Sequence, residues 1–386
     1  MYILLLSIIY LAFISLGLPD SLLGASWPTL HVSFDVPISY MGIISMIISL
    51  GTVLSSLFSE RLTARFGTRV VTTASVLLTA VALFGFSTVT EFYQICLLGI
   101  PYGLGAGAID AALNNYVATH YNSRHMSWLH CFWGVGTIIS PYIMSFALVN
   151  SGWQNGYRTV SYIQLGIFII MLIALPLWKV NSEKSEGQKE KKAPIGIRGA
   201  MKIKGVPYVL LGFFAYCAAE CTAMLWASSY LEDAIGLTKD EAAAFGSLFF
   251  IGMTVGRFAA GFVTERLGDM KMIRLGTIIA LTGTALTVIP VEICGILGFI
   301  IVGLGCAPIY PCIIHMTPIN FGKDNSAAII GIQMASAYIG SLLAPPLFGI
   351  VAENISLRLM PLYLAFFFIL MITILAKIGK IHRIDV

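Results

Sequence analysis

Four ionisable residues interrupt otherwise apolar runs of this chain: Asp20, Asp110, Glu220 and His315. A charge held in hydrocarbon is costly, about 2.5–3.5 kcal/mol at a helix centre, so such residues face a bundle interior or a wet cavity. There they can bind a polar solute or carry a proton. Asp110 is followed four residues later by Asn114, which puts a carboxylate and an amide on one helix face. That face can hydrogen-bond the hydroxyls of a polyol. Burial disfavours the charged form of any carboxylate, which is what a proton carrier needs. An interhelical structural hydrogen bond is the other reading of the pair, and both stay open at this level. His315 has the side chain that changes charge most readily near neutral pH, yet a lone helix histidine also serves as a structural hydrogen-bonder.

Other polar and aromatic residues inside the apolar runs are candidates for lining a substrate path. His130 and Trp133 lie close to Trp128, and an aromatic beside hydrogen-bonding groups can stack on the apolar face of a pyranose. Gln164, Trp226, Tyr310, Gln333 and Tyr338 belong to the same set, with helix packing as the alternative for each. The run Gly99, Gly103, Gly107 contains Gly103-Leu104-Gly105-Ala106-Gly107, which mimics a dinucleotide fingerprint. That fingerprint needs a strand before it and a helix start at the glycines. Here apolar sequence continues on both sides, so small residues every fourth position read as a surface for close helix approach.

The elements that position these residues follow from composition. Of 386 residues, 58% are hydrophobic and 11% charged, against roughly 25% charged in a soluble domain. Apolar runs of about 20 residues span the roughly 30 Å hydrocarbon layer as helices. The runs are continuous, which excludes the alternating segments of about 10 residues that a transmembrane barrel needs. Twelve spans are expected: 3–29, 38–59, 71–89, 92–118, 126–149, 159–179, 206–231, 240–264, 272–290, 293–318, 326–351 and 357–377. The first has no charged leading segment and no cleavage signal, so it reads as a retained helix. Asp20, Asp110, Glu220 and His315 then fall in spans one, four, seven and ten. Such regular spacing suggests equivalent helices of repeated units around one pathway.

Under these spans 19 of the 23 Lys and Arg residues lie on one side of the membrane. They include Arg61, Arg65 and Arg69, the lysines between 179 and 204, and Arg266, Lys271 and Arg274. Only Arg158, Lys239 and Arg358 lie on the other side, and Arg257 sits within a span. Positive charge marks the cytoplasmic side. Both termini are therefore expected there, in a multi-pass protein of the cell (plasma or inner) membrane. The net charge of +4 is no nucleic-acid signal. All seven cysteines fall inside spans without a CxxC pair and read as small packing residues. No metal cluster, cofactor loop or nucleophile–base set is found, so neither a cofactor nor an enzyme is expected.

Asn181–Lys192 is the one clearly polar stretch and reads as a solvated linker. The expected division is a six-helix bundle over 1–180, a cytoplasmic linker over 181–204 and a second six-helix bundle over 205–386. The halves echo each other. Glu60-Arg61-Leu62 recurs as Glu265-Arg266-Leu267, and Gly136 with Pro141 recurs as Gly340 with Pro345. Matches near a common offset suggest a parallel repeat, an architecture that places a substrate site near the membrane midplane.

Several motifs carry a resemblance to a known family. Gly261-Phe262-Val263-Thr264-Glu265-Arg266-Leu267-Gly268 resembles the Gly-x-x-x-Asp-Arg-x-Gly loop of the major facilitator superfamily, with Glu for Asp. The resemblance implies that Glu265 and Arg266 tether helices at the cytoplasmic face as a gate, and Arg257 is assigned to the same network. The first-half copy has Ala64 where the acid is expected. Within the superfamily the chain resembles the fucose permease-type sugar porters. Leu18-Pro19-Asp20-Ser21-Leu22-Leu23 is similar to their helix-one stretch, and Asp110, Asn114, Tyr116 and Val117 match their helix-four Glu, Asn, Phe and Val. His130 to Gly136, Tyr216 to Glu220, Gly256-Arg257-Phe258 and Tyr310-Pro311 match motifs of helices five, seven, eight and ten. His130 stands where the family has Gln, and Asp110 is one methylene shorter than the family's Glu.

The resemblance implies an all-α membrane protein of twelve transmembrane helices in two pseudo-symmetric six-helix bundles. It implies proton-coupled uptake of a monosaccharide by alternating access, with Asp20 and Asp110 in the proton-coupling roles. The expected partners are a small-molecule substrate (a sugar), protons and the lipid bilayer, with no nucleic acid and a monomeric state. An exporter of drugs or metabolites, and a membrane sugar sensor that does not translocate, are the alternative readings.

Overall fold

A backbone in hydrocarbon must satisfy its own hydrogen bonds, and a helix does so locally. The computed structural model describes residues 2–37, 40–178, 194–246 and 248–382, and among these residues it is helical without strands. The first half holds α1 (Tyr2–Asp20), α2 (Leu22–Ser33), α3 (Met41–Phe66), α4 (Thr68–Phe86), α5 (Phe92–His120), α6 (Ser123–Asn150) and α7 (Trp153–Ile173). The second holds α8 (Gly196–Lys202), α9 (Val206–Tyr230), a π turn (Leu231–Ile235), α10 (Lys239–Gly246), α11 (Leu248–Leu267) and α12 (Asp269–Thr287). It continues with α13 (Glu292–Cys306), α14 (Ile309–Phe321), α15 (Lys323–Asn354), a 3-10 turn (Leu357–Leu359) and α16 (Met360–His382). Of the expected linker, 181–193 lies outside the described residues, as do Lys179 and Arg383; its remaining part contains α8.

Eleven of the described helical stretches are long and apolar enough to cross a membrane. The ninth expected span is the exception. It corresponds to α12, whose opening turns carry Asp269, Lys271 and Arg274, so uncharged sequence begins only at Leu275. Large apolar side chains cover the outer surface, among them Phe146, Val149, Ile173 and Ile278, as suits a solvent of hydrocarbon.

Two spans that read as single apolar runs are broken helices. The first breaks at Ser21, directly after Asp20. Pro19 has no N–H to give the Ser15 carbonyl, and the Gln164 side-chain Nε2 donates to that oxygen instead, at 2.6 Å. Pro141 likewise deprives the Thr137 carbonyl, which receives the Ser21 hydroxyl at 2.7 Å. The tenth span breaks at Ala307–Pro308, between α13 and α14. Non-helical backbone at membrane depth survives only where protein or a wet cavity receives its polar groups, and at the first break the Gln164 side chain of α7 does so.

Backbone contacts divide the chain into two compact units. Unit 1 comprises Met1–Tyr116 and Phe132–Gly196; unit 2 comprises Val117–Cys131 and Ile197–Val386. The second unit therefore includes the end of α5 and the start of α6. In unit 1 an apolar core forms around Trp27, Phe86, Met144 and Tyr157. There α6 crosses α1 at Gly136, where a Cβ would lie 2.5 Å from the Ile14 carbonyl oxygen. In unit 2, α15 crosses α9 at Gly340, where a Cβ would lie 2.6 Å from the Phe214 carbonyl oxygen. The same crossing thus recurs about 200 residues on. Gly67 and Gly268 recur likewise, each at a positive φ (79° and 82°) that turns the chain into the next helix, a conformation that only glycine adopts without strain. Near the end of α3, Glu60 is buried and accepts the backbone N–H groups of Ile195 and Gly196, each at 2.9 Å.

Candidate substrate and proton sites

In unit 1 the break after α1 leaves the Asp20 side chain at the helix end, exposed. Trp133 of α6 donates its indole N–H to Asp20 Oδ2 at 2.8 Å, and Tyr102 of α5 donates its hydroxyl to Oδ1 at 3.3 Å. Both carboxylate oxygens therefore have a donor. Eight residues further along α5, roughly 12 Å of helical rise, lies Asp110. It is 5% exposed, and Asn114 donates to its carboxylate at 2.7 Å and to its carbonyl oxygen at 3.0 Å. The unit thus presents one exposed acid beside an indole and one enclosed acid further along α5. Tyr102 was not among the residues singled out from sequence. It sits in the glycine-rich segment that reads as packing surface, and only its i−1 proline marks the place.

In unit 2 the central pair is Glu220 of α9 and Arg257 of α11, 3.3 Å apart and nearly fully buried. The sequence reading groups Arg257 with Glu265 and Arg266. The structure instead places it eight residues, roughly 12 Å of rise, before Glu265, opposite Glu220. The physical reason is that a buried guanidinium needs a carboxylate partner, and losing one member of such a pair leaves an uncompensated charge. One turn before Glu220, the Tyr216 hydroxyl donates to the Cys306 carbonyl at 2.9 Å, at the end of α13 where the tenth span breaks. Tyr310 sits among rings, with centroids 4.7 Å from His130, 4.7 Å from Phe213 and 6.2 Å from Tyr216.

The remaining candidates are scattered. Gln164 is buried between the Thr79 hydroxyl, which donates to its Oε1 at 3.0 Å, and the Ser15 carbonyl, so both ends of its amide hold helices together. Gln333 accepts from Thr317 at 2.8 Å. Trp226 donates to the Pro345 carbonyl at 3.0 Å, and Tyr338 is half-buried on α15. His315 has partners of its own: its Nδ1 lies 2.7 Å from Asp269 Oδ2, and its Nε2 lies 3.4 Å from the Tyr121 carbonyl. Glu265 pairs with Arg124 at 2.7 Å and also accepts from Asn122 at 3.3 Å. Arg124 further donates to the Gly261 carbonyl at 3.2 Å. Arg266 is exposed at the end of α11.

Acids and an acid–base pair set within apolar helices mark solute or proton pathways in membrane proteins, transporters among them. The model of the Major Facilitator Superfamily matches residues 9–218 and again 208–381, so the chain belongs to that superfamily. It is 23% identical over 298 residues to the cis,cis-muconate transport protein of Acinetobacter baylyi, covering 72% of this chain and 68% of that one. It is 21% identical over 350 residues to the glucose/mannose transporter GlcP of Bacillus subtilis, covering 88% and 86%. In fold it is similar to the crystal structure of a variant of the E. coli fucose:proton symporter FucP, with a TM-score of 0.80, 15% identity, and 98% and 99% of the two chains covered.

Proposed function

We propose that this superfamily transporter is a proton-coupled symporter of a monosaccharide, working as a monomer by alternating access in the cell membrane. The observation that carries the reading is the Trp133–Asp20 pair. An exposed carboxylate beside an indole suits a pyranose, whose apolar ring face stacks on the aromatic while its hydroxyls reach the carboxylate. Asp110 and Asp20 share the proton-coupling role in this reading, with Asp110 the enclosed member. Neutralising Asp110 removes the cost of holding a charge away from water. His130, Tyr310 and Glu220 supply a second set of contacts, while Glu265, with Arg124 and Arg266, forms the gate. The glucose/mannose relative supports the substrate class.

One observation favours a second reading, an organic acid as substrate. Arg257 is a buried cation balanced by Glu220; if Glu220 takes up a proton, Arg257 can receive a substrate carboxylate. The muconate relative agrees with that chemistry.

The test is uptake of labelled hexoses, hexuronates and dicarboxylates into proteoliposomes, with and without an imposed inward proton gradient. Gradient-driven accumulation of a neutral hexose is the expected result. Accumulation of acids alone would favour the Arg257 reading, and uptake indifferent to the gradient would remove the proton roles of Asp20 and Asp110.

A further inference from the structure

Away from these sites, unit 1 contains an apolar groove of about 680 Å³ between α3 and α4, floored by α5. Its origin lies in the glycines of α5. Gly103 and Gly107 bring α3 onto α5 at Ile48, Thr52 and Ser55, while Gly105 brings α4 onto α5 at Ser75. Both helices are drawn to the same floor, and the small side chains Ala74, Ser75 and Ala108 leave the space between them unfilled. Phe58, Leu62 and Phe66 form one wall and Val70 and Leu78 the other. Phe58, Phe66, Val70 and Leu78 are all exposed, so the groove opens to the bilayer.

One end of the groove is basic. Arg61 lies 5.8 Å from the centroid of Phe58, and Arg65 lies 5.3 Å from that of Phe66; Arg69 immediately precedes Val70. Two guanidinium groups therefore stand over rings that line the groove. Among the described residues, no ion pair engages Arg61, Arg65 or Arg69. The neighbouring acid, Glu60, is already held by two backbone N–H groups. Basic groups beside an apolar cleft suit an amphipathic ligand with an anionic head.

We propose that this groove binds an anionic phospholipid from the leaflet on the side of the Arg61–Arg69 segment. The acyl chains fill the groove, and the phosphate is held by the arginines. Guanidinium groups match phosphate oxygens bidentately, and clustered basic residues at a membrane surface select anionic over zwitterionic lipid. A zwitterionic headgroup brings its own ammonium to the same guanidiniums and gains less.

Native mass spectrometry of the purified full-length chain in detergent tests this. The probes are phosphatidylglycerol and phosphatidylcholine with the same acyl chains, and glycerol phosphate as a headgroup without chains. Phosphatidylglycerol should be retained about tenfold more than phosphatidylcholine. Arg61→Gln, Arg65→Gln and Arg69→Gln combined should erase that preference. Ala74→Phe, which fills the groove and leaves the charges, should lower retention of both lipids. Arg65→Gln alone, with a thermal melt as a folding control, should give a partial loss if the triple variant fails to fold. Equal retention of the two lipids, an unchanged preference in the arginine variants, or displacement of the lipid by glycerol phosphate would each overturn the proposal.

Discussion

The Trp133 indole N–H points at Asp20 Oδ2 from 2.8 Å, while the Tyr102 hydroxyl takes the other oxygen. Both oxygens of the carboxyl group are therefore matched to donors. Asp20→Asn places an amide NH2 where one of those donors needs an acceptor. A hydrogen bond to a charged group contributes about 1.5–3 kcal/mol, so substrate affinity should fall roughly 10- to 100-fold. Concentration dependence of uptake in proteoliposomes checks this. An unchanged half-saturating concentration would place the substrate elsewhere.

Asp110 differs from Asp20 in being enclosed and bonded within its own helix. Asp110→Asn mimics its protonated form. The variant should exchange labelled for unlabelled substrate across the membrane yet fail to accumulate it under an inward proton gradient. Retained accumulation would move the proton to another residue.

The Glu220–Arg257 pair makes a stability prediction. Glu220→Met leaves Arg257 buried without its carboxylate and should cost about 3–5 kcal/mol. Adding Arg257→Met should recover most of that loss, because the apolar pair carries no charge to desolvate. Thermal unfolding of the single and double variants in detergent distinguishes the two cases, and equal losses in both would show that packing, not charge, dominates there.

The paired crossings predict paired penalties. Gly136→Ala and Gly340→Ala each drive a Cβ against a backbone carbonyl at about the same distance. Each should destabilise by about 1–3 kcal/mol. Gly166→Ala, with open space around it, should be neutral or slightly stabilising because alanine is the better helix former. Melting temperatures of the three variants settle the comparison.

The fold class was legible because hydropathy belongs to each residue on its own, and twelve apolar runs need no knowledge of their neighbours. The repeat was legible for the same reason, as Gly136 and Gly340 show. Partners were not, because they depend on how each helix is rotated. Arg257 reads as part of the Glu265–Arg266 cluster along the chain, yet its rotation turns it to Glu220. Gln164 reads as a polar residue awaiting a solute, but Pro19 on another helix supplies its partner by freeing the Ser15 carbonyl. Even α12 shows the limit of composition, since three charges in its opening turns lower its apparent fitness for a bilayer. Tyr102 carried no signal of its own, because its role appears only once the broken α1 brings Asp20 to it.

The clasp between Glu60 and the amides of Ile195 and Gly196 sets different rules for its two sides. One side is a side chain and the other is main chain. The isoleucine side chain at 195 takes no part in the clasp, whereas replacing Glu60 by a residue without a carboxylate loses at least one of the two bonds. Proline is the residue barred at either amide position, because it has no N–H to give. Homologous sequences should therefore vary at position 195 while excluding proline there, whenever they keep an acid at position 60.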